Sequence, residues 1–231
     1  MKVFVAILGA GEGKRIGGAI PKQFMALNGK AIIAHTLEAF QTHPGVNHII
    51  IVTKLDFVGK TREIVEKSQI TKAVEVIEGG KHRYDSSYIA IKHLKCADDD
   101  IIMIHDAVRP FVTKRIIDDC IRLTIEHGAT EVAVKCTDTI TEIDNGFVVK
   151  IMRRERLYNV QTPQSFIRRI ILDAHERARK EGFIDATDDV TLALKAGYRV
   201  ALVEGDYENI KITTPADMEF AEAILRKRGK R

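Results

Sequence analysis

The chain has no apolar run approaching the roughly 20 residues that a membrane-crossing helix requires. Its Val3 to Leu8 stretch, just after Met1-Lys2, is too short for the core of a signal peptide. Both absences lead to the expectation of a cytoplasmic protein with no membrane partner. Cysteine is scarce: Cys96, Cys120 and Cys136 are odd in number, far apart and outside any Cys-x-x-Cys pair, which argues against a disulfide framework or a zinc site and for reduced thiols. The eight histidines lie scattered without metal-ligand spacing, and no Ser-His-Asp or Cys-His arrangement stands out. Linkers, internal repeats and low-complexity segments are missing too, so residues 1–231 are expected to form one domain. Net charge is small outside the tail: the formal charge is +4, but the last six residues, RKRGKR, hold five cations, so the body carries −1. That excludes a basic nucleic-acid surface, and the tail reads as a solvated helix end favoured by the helix dipole.

What is present is an alternation, in a chain 45% hydrophobic and 29% charged, the makeup of an ordinary globular protein. The β-branched runs VFVAIL (3–8), HIIIV (48–52), AVEVI (73–77), IIMIH (101–105), EVAV (131–134) and RVALV (199–203) recur along it. Between them Ile32 to Phe40, Val58 to Ile70, Ser86 to Leu94 and Lys114 to His127 carry helical spacing. Strands alternating with helices predict an α/β fold, a Rossmann-like, mostly parallel sheet with helices on both faces. One segment, about 137–152, breaks the pattern: Thr139 to Ile143 and Phe147 to Ile151 flank Asp144-Asn145-Gly146, a strong hairpin signal, so an antiparallel β-hairpin arm should protrude there. A last helix should start at Thr214 as cap, with Pro215 at its first position and Asp217 complementing its dipole.

The stretch GAGEGKRIGG follows the first strand and carries Gly9, Gly11, Gly13, Gly17 and Gly18, with Lys14 and Arg15 among them and Lys22 just beyond Pro21. A glycine turn at the carboxyl end of a strand lets backbone N–H groups converge on an anion, and phosphate is the default guest. It is neither of the two common phosphate motifs. A P-loop needs four residues between its glycines and then Lys-Ser/Thr, whereas Gly9 and Gly13 are separated by three and Lys14 is followed by Arg15. In a dinucleotide fingerprint counted from Gly9 or Gly11, the third glycine would fall on Lys14 or Ile16. A loop with its own cations suits a triphosphate.

Other stretches converge on the same edge. In EGGKHRYDSS, Gly79 and Gly80 permit close backbone approach, and Arg83 and Ser86 open a helix. In IHDAVRPF, Asp106 ends a strand and is a natural partner for Mg²⁺ or a hydroxyl, while His105 reads as a packed residue and Arg109 as the partner of a carboxylate. In NIKITTPADM, Lys211 is expected on a late short strand, with Ile210 and Ile212 facing the opposite side.

Taken in order, GAGEGKRIGG with PKQF, EGGKHRYDSS, HDAVRPF, TDTI, LYNVQTPQSF, DATDD and NIKITTPADM span nearly the whole chain. Together they resemble the cytidylyltransferases that act on polyol phosphates, which comprise the 2-C-methyl-D-erythritol 4-phosphate enzymes of isoprenoid synthesis and the ribitol-5-phosphate enzymes. The resemblance implies a fold of the nucleotide-diphospho-sugar transferase type. It implies that Arg15 and Lys22 act on the CTP phosphates, and that Arg154 and Lys211 position the acceptor phosphate. Leu8, Gly9, Ala10, Gly11, Gly13, Lys14, Gly79, Gly80, Arg83, Ser86 and Asp106 would form the CTP site. Asp106 and Thr139 would face the polyol hydroxyls or the metal, Mg²⁺. The hairpin resembles the arm exchanged across a homodimer, so that Thr139 and Arg154 complete the partner's site.

The implied chemistry suits the residues. A phosphate monoester has a second pKa of about 6 and is mostly dianionic at neutral pH, so it needs no general base to attack the α-phosphorus of CTP. What it needs is fixed cations. 2-C-methyl-D-erythritol 4-phosphate is the leading acceptor, with ribitol 5-phosphate as the alternative. A non-catalytic nucleotide-binding regulator is a more remote reading, and a nicotinamide-dependent dehydrogenase is weakened by the missing fingerprint.

Overall fold

The six residues VFVAIL of β1 (Val3–Leu8) are all buried, and a strand with no exposed face has to lie inside a sheet covered on both sides. The structure, a computed structural model describing residues 1–11, 20–183 and 186–229, places it there. A short ribbon follows, β2 (Ala26–Leu27) and β3 (Lys30–Ala31), turned through Asn28 and Gly29 at positive φ. Then α1 (Ile32–Gln41), β4 (His48–Thr53), α2 (Val58–Lys67), β5 (Ala73–Glu78), α3 (Arg83–His93), β6 (Ile101–Asp106), α4 (Lys114–His127) and β7 (Ala129–Lys135) alternate as the pattern predicts. The hairpin is β8 (Thr141–Asp144) and β9 (Phe147–Ile151), and Asn145 and Gly146 both take the left-handed conformation that its two-residue turn demands. After it come β10 (Tyr158–Ile167), α5 (Arg168–Lys180), α6 (Asp189–Lys195), β11 (Ala201–Glu204) and α7 (Pro215–Arg228).

Among the described residues seven strands make one sheet in the order β11-β7-β10-β6-β1-β4-β5. Neighbours are parallel except at β10, which runs antiparallel to both β6 and β7. The period of two sorts each central strand between two cores. Val3, Val5, Ile7, Ile49, Ile51, Ile101 and Met103 face one side, with Leu37 and Phe40 of α1 and Ile116 and Ile117 of α4. Phe4, Ala6, Leu8, Ile50, Val52, Ile102 and Ile104 face the other, with Ala90 and Ile91 of α3, Ile171 of α5 and Val190 and Ala193 of α6. Fully burying a large side chain of this kind is worth about 1.5–3 kcal/mol, so the two faces supply most of the driving force.

Two local readings need correction. Helix α3 begins at Arg83 rather than Ser86, because His82 and Asp85 form a reciprocal capping box that closes its first turn. Lys211 is on no strand: residues 209–213 form no ladder, and the backbone is tied by a hydrogen bond from Ile212 N–H to the Val108 carbonyl (2.9 Å) while the Ile212 side chain is fully buried. The helix after it starts as read, with Thr214 and Asp217 in a capping box and Pro215 in the first turn.

Candidate active site

The chain leaves β1 to build β4 and β5 on one side and returns to place β6 on the other, so the strand order reverses between β1 and β6. Crevices at the carboxyl ends of strands on either side of such a reversal are where open α/β sheets bind ligands. Leu8 pairs with Asp106 at the ends of these two strands. Beyond the strand ends the backbone stays anchored: Gly9 N–H donates to the Val52 carbonyl (2.7 Å), Gly79 N–H to the Thr53 carbonyl (2.8 Å) and Ala107 N–H to the Leu8 carbonyl (3.0 Å). Above them opens a cleft of about 370 Å³.

Of the residues read from the sequence, Leu8, Gly9, Ala10, Gly11, Lys22, Gly80, Arg83, Ser86, Asp106 and Lys211 line this cleft. Gly13, Lys14 and Arg15 lie outside the described residues. Gly79 sits just behind the lining, and a Cβ there would come within 2.7 Å of Ser86 Oγ and 2.9 Å of both Ala10 Cβ and Val52 Cγ1. Glycine is therefore a steric requirement at the turn into α3. Ser86 is held in place, its hydroxyl donating to the His82 carbonyl (3.2 Å) and accepting from Gly80 N–H (3.2 Å). Sequence reasoning passed over Gln23, whose buried amide donates to the Gly9 carbonyl (2.6 Å) and pins the glycine turn. Its one signal was a polar residue between Lys22 and Phe24 in PKQF.

Asp106 is the electrostatic centre. Its carboxylate is buried, with Lys211 Nζ 2.8 Å and Arg109 Nε 3.5 Å from Oδ2 and Arg83 Nε 3.5 Å from Oδ1. Burial by itself would raise its pKa, but the charges of Arg83, Lys211 and Arg109 prevail and hold it far below the usual carboxylate range. It is an anion at any working pH, and its role is to gather cations at the floor of the cleft. Among the described residues no three His, Cys, Asp or Glu side chains cluster as a metal site.

His105 is packed, as read. Its Nε2 donates to the Arg109 carbonyl (3.0 Å), and its Nδ1 accepts from the Thr162 hydroxyl (3.0 Å), which in turn accepts from Asp106 N–H (3.2 Å). Burial pushes its pKa down to about 4. Because the folded state keeps this imidazole neutral while the unfolded chain protonates near the ordinary value of about 6.5, its contribution is complete above that pH and is lost as pH falls towards 4. Urea unfolding at successive pH values should show stability declining through this window, by up to about 3 kcal/mol from this group. His105→Gln, less stable at pH 7, should show a shallower decline, and an equal slope in both proteins would refute the assignment.

One arrangement that the sequence conceals does form. Ser87 Oγ donates to Asp189 Oδ1 (2.5 Å), and His175 Nε2 lies 3.1 Å from the same oxygen. All three side chains are buried, and the serine proton goes to the carboxylate rather than to the imidazole. No nucleophile is activated here. Thr139 and Arg154 stay at the exposed base of the hairpin, where Arg154 Nη1 donates to the Thr137 carbonyl (3.2 Å), and neither lines the cleft of its own chain.

A crevice lined by a glycine turn and gathered cations, with no activated nucleophile among its described lining, suits a polyanionic substrate attacked by a second anion that brings its own nucleophile. Fold and site together fit a nucleotidyltransferase. The family model described as IspD, 2-C-methyl-D-erythritol 4-phosphate cytidylyltransferase, matches residues 3–227. A curated protein of that name from Clostridium botulinum (strain Okra / Type B1) is 42% identical over 96% of this chain and 97% of its own. Another from Halalkalibacterium halodurans is 38% identical over 100% of both chains. The crystal structure of 4-diphosphocytidyl-2C-methyl-D-erythritol synthase from Anaerococcus prevotii superposes with a TM-score of 0.85 at 28% identity, covering 97% of this chain and 96% of that one. The chain belongs to the 2-C-methyl-D-erythritol 4-phosphate cytidylyltransferase family.

Proposed function

We propose that the chain transfers the cytidylyl group of CTP to the phosphate of 2-C-methyl-D-erythritol 4-phosphate, releasing pyrophosphate, as a step of isoprenoid precursor synthesis by the non-mevalonate route. An acceptor phosphate oxygen forms the new bond to the α-phosphorus of CTP, and the bond from that phosphorus to the β-phosphate bridge breaks. The observation that carries this reading is the cation cluster around Asp106 beneath the glycine turn. Family membership names the substrates, and it favours the erythritol phosphate over ribitol 5-phosphate.

The backbone from Leu8 to Gly11 with Gly80 and Ser86 receives the nucleotide, and Lys22 and Arg15 take the charge that develops on the phosphates. Lys211, held by Asp106, orients the acceptor phosphate. Asp106 is the only carboxylate among the described lining residues, and Mg²⁺ commonly takes one or two carboxylates plus substrate phosphates. The site thus fits an ion that arrives with the triphosphate, and Asp106 would be the residue to hold it. Charge neutralisation on the phosphates is the chemistry that such an ion would supply there.

The whole chain acts as one domain, and the hairpin is its dimer contact. Ile143, Phe147, Val148, Val149 and Ile151 are exposed on it, an apolar surface that a second copy would cover. Thr139 and Arg154 at its base would then reach the partner's cleft. The test is pyrophosphate release with CTP and Mg²⁺, run against each polyol phosphate on protein sized by light scattering. A clear preference for 2-C-methyl-D-erythritol 4-phosphate by a dimer is expected. Preference for ribitol 5-phosphate would overturn the acceptor, and an active monomer the shared site.

A further inference from the structure

The described residues of the segment DATDD, 186–189, do not line the cleft, yet the last of them is a fully buried carboxylate held by three side chains. Asp188 has an ordinary task, capping α6 by accepting from Thr191 N–H (2.8 Å) and the Thr191 hydroxyl (2.7 Å). Asp189, fully buried, has none of that kind. Its Oδ1 is held by Ser87 of α3 and His175 of α5, and its own N–H donates to Gln164 Oε1 of β10 (3.1 Å). Three elements thus fix the direction of its remaining oxygen. Oδ2 points at Arg83, which donates to it from Nη1 at 2.5 Å.

Arg83 spans two carboxylates. Its Nη1 is in close contact with Asp189, while its Nε stands 3.5 Å from Asp106 Oδ1. An arginine facing two anions closes on whichever is better placed, and here Asp189, whose other oxygen is fixed by Ser87 and His175, wins. The longer separation from Asp106 has a consequence at the other oxygen, where Lys211 approaches to 2.8 Å. Without the charge of Asp189, Arg83 would turn fully onto Asp106, compete with Lys211 for it and draw back from the cleft wall it lines.

We infer that Asp189 is a positioning residue for the transfer reaction, holding Arg83 at a set distance from Asp106 so that Lys211 keeps its place on the same carboxylate. The inference rests on the functional reading above. Asp189→Asn keeps the size and an acceptor for Ser87 while removing the charge that faces Arg83. It should lower kcat for pyrophosphate release roughly 10- to 100-fold, the scale set by small misplacements of reacting groups. KM for CTP should rise by less than kcat falls, because Asp189 lies outside the cleft lining and acts only through Arg83.

Arg83→Lys supplies the second variant, since an ammonium retains the charge but has no planar fork with which to span both carboxylates. It too should lose kcat while still unfolding cooperatively. The double variant should be no worse than the poorer single one, because the two residues act as one unit. A crystal structure of Asp189→Asn should show Arg83 closed onto Asp106. A folded Asp189→Asn with wild-type kcat would overturn the inference, as would a double variant whose losses multiply. If Asp189→Asn does not fold, Arg83→Lys decides, and wild-type kcat in it has the same meaning. The wild type run alongside separates the two levels: no pyrophosphate release from it sinks the functional reading, whereas release with an unimpaired Asp189→Asn sinks this inference alone.

Discussion

Lys22→Ala should lower turnover with CTP and 2-C-methyl-D-erythritol 4-phosphate at least about 100-fold while the purified protein unfolds as cooperatively as the wild type. The size follows from what one preorganised donor contributes to a transition state that accumulates charge, about 3–4 kcal/mol. Lys22 follows Pro21 and opens the short turn Lys22–Phe24, whose next residue, Gln23, is clamped to the Gly9 carbonyl at 2.6 Å. The backbone beside the ammonium is therefore fixed relative to the glycine turn before substrate arrives. A cation placed in advance acts on charge that grows on the equatorial oxygens and the departing pyrophosphate, so kcat should fall more than KM rises. Steady-state kinetics decide it: a folded Lys22→Ala at more than a tenth of wild-type kcat is incompatible with this role.

How far the site could be read from residues alone depends on the range of the interactions involved. Strand β1 and its glycine turn are local, as are the hairpin at Asn145-Gly146 and the Thr214 capping box, and each is visible because its requirement falls on neighbouring residues. Strand β10 is hidden. Its sequence YNVQTPQSFI carries glutamines, a serine and a proline, yet Gln161 to Ile167 are buried in mid-sheet. The two glutamines are tolerated because they find partners: Gln161 donates to the Asp206 carbonyl (2.8 Å) and Gln164 to Glu131 (3.0 Å) and Asp188 (3.1 Å). Pro163 falls between Val160 and Gln164, where the ladder to β7 shifts register and asks nothing of its missing N–H.

The cleft shows the same division. The glycines at 9, 79 and 80 announce close backbone approach, and Asp106 announces a strand end. That Arg83 belongs to Asp189, 106 residues away, follows from no local pattern. Lys211 shows a correct placement reached through a wrong element. Alternation of Ile210, Lys211 and Ile212 implied a strand, but a single hydrogen bond to Val108 and the burial of Ile212 suffice to aim the lysine at Asp106. The roles proposed for Thr139 and Arg154, exposed at the arm's base, would need a second copy, which one sequence read alone does not place.

Asp106→Ala should be both inactive and destabilised, by about 3 kcal/mol. Removing one partner of a buried ion pair ordinarily costs about 3–5 kcal/mol, because the charge left behind is neither solvated nor paired. Here three cations lose a common anion, but each has a partial refuge. Arg83 keeps Asp189, Arg109 keeps the carbonyls of Asn209 (2.9 Å) and Val160 (3.3 Å), and the Lys211 side chain is 39% exposed. That places the loss at the lower end of the range. Since Asp106 is held far below the usual carboxylate pKa in the fold, its stabilisation is complete above about pH 4 and is lost only as pH falls further. The gap between wild type and Asp106→Ala should therefore be constant from pH 7 to about 5 and narrow only in stronger acid. A vacated cluster of three cations also makes an anion site. Inorganic phosphate should raise the melting temperature of Asp106→Ala by more than it raises that of the wild type, which shares any general salting effect. Equal shifts in the two proteins would mean that Arg83, Arg109 and Lys211 scatter once the carboxylate is gone. Asp106 would then be assembling the phosphate-binding surface rather than neutralising one already built.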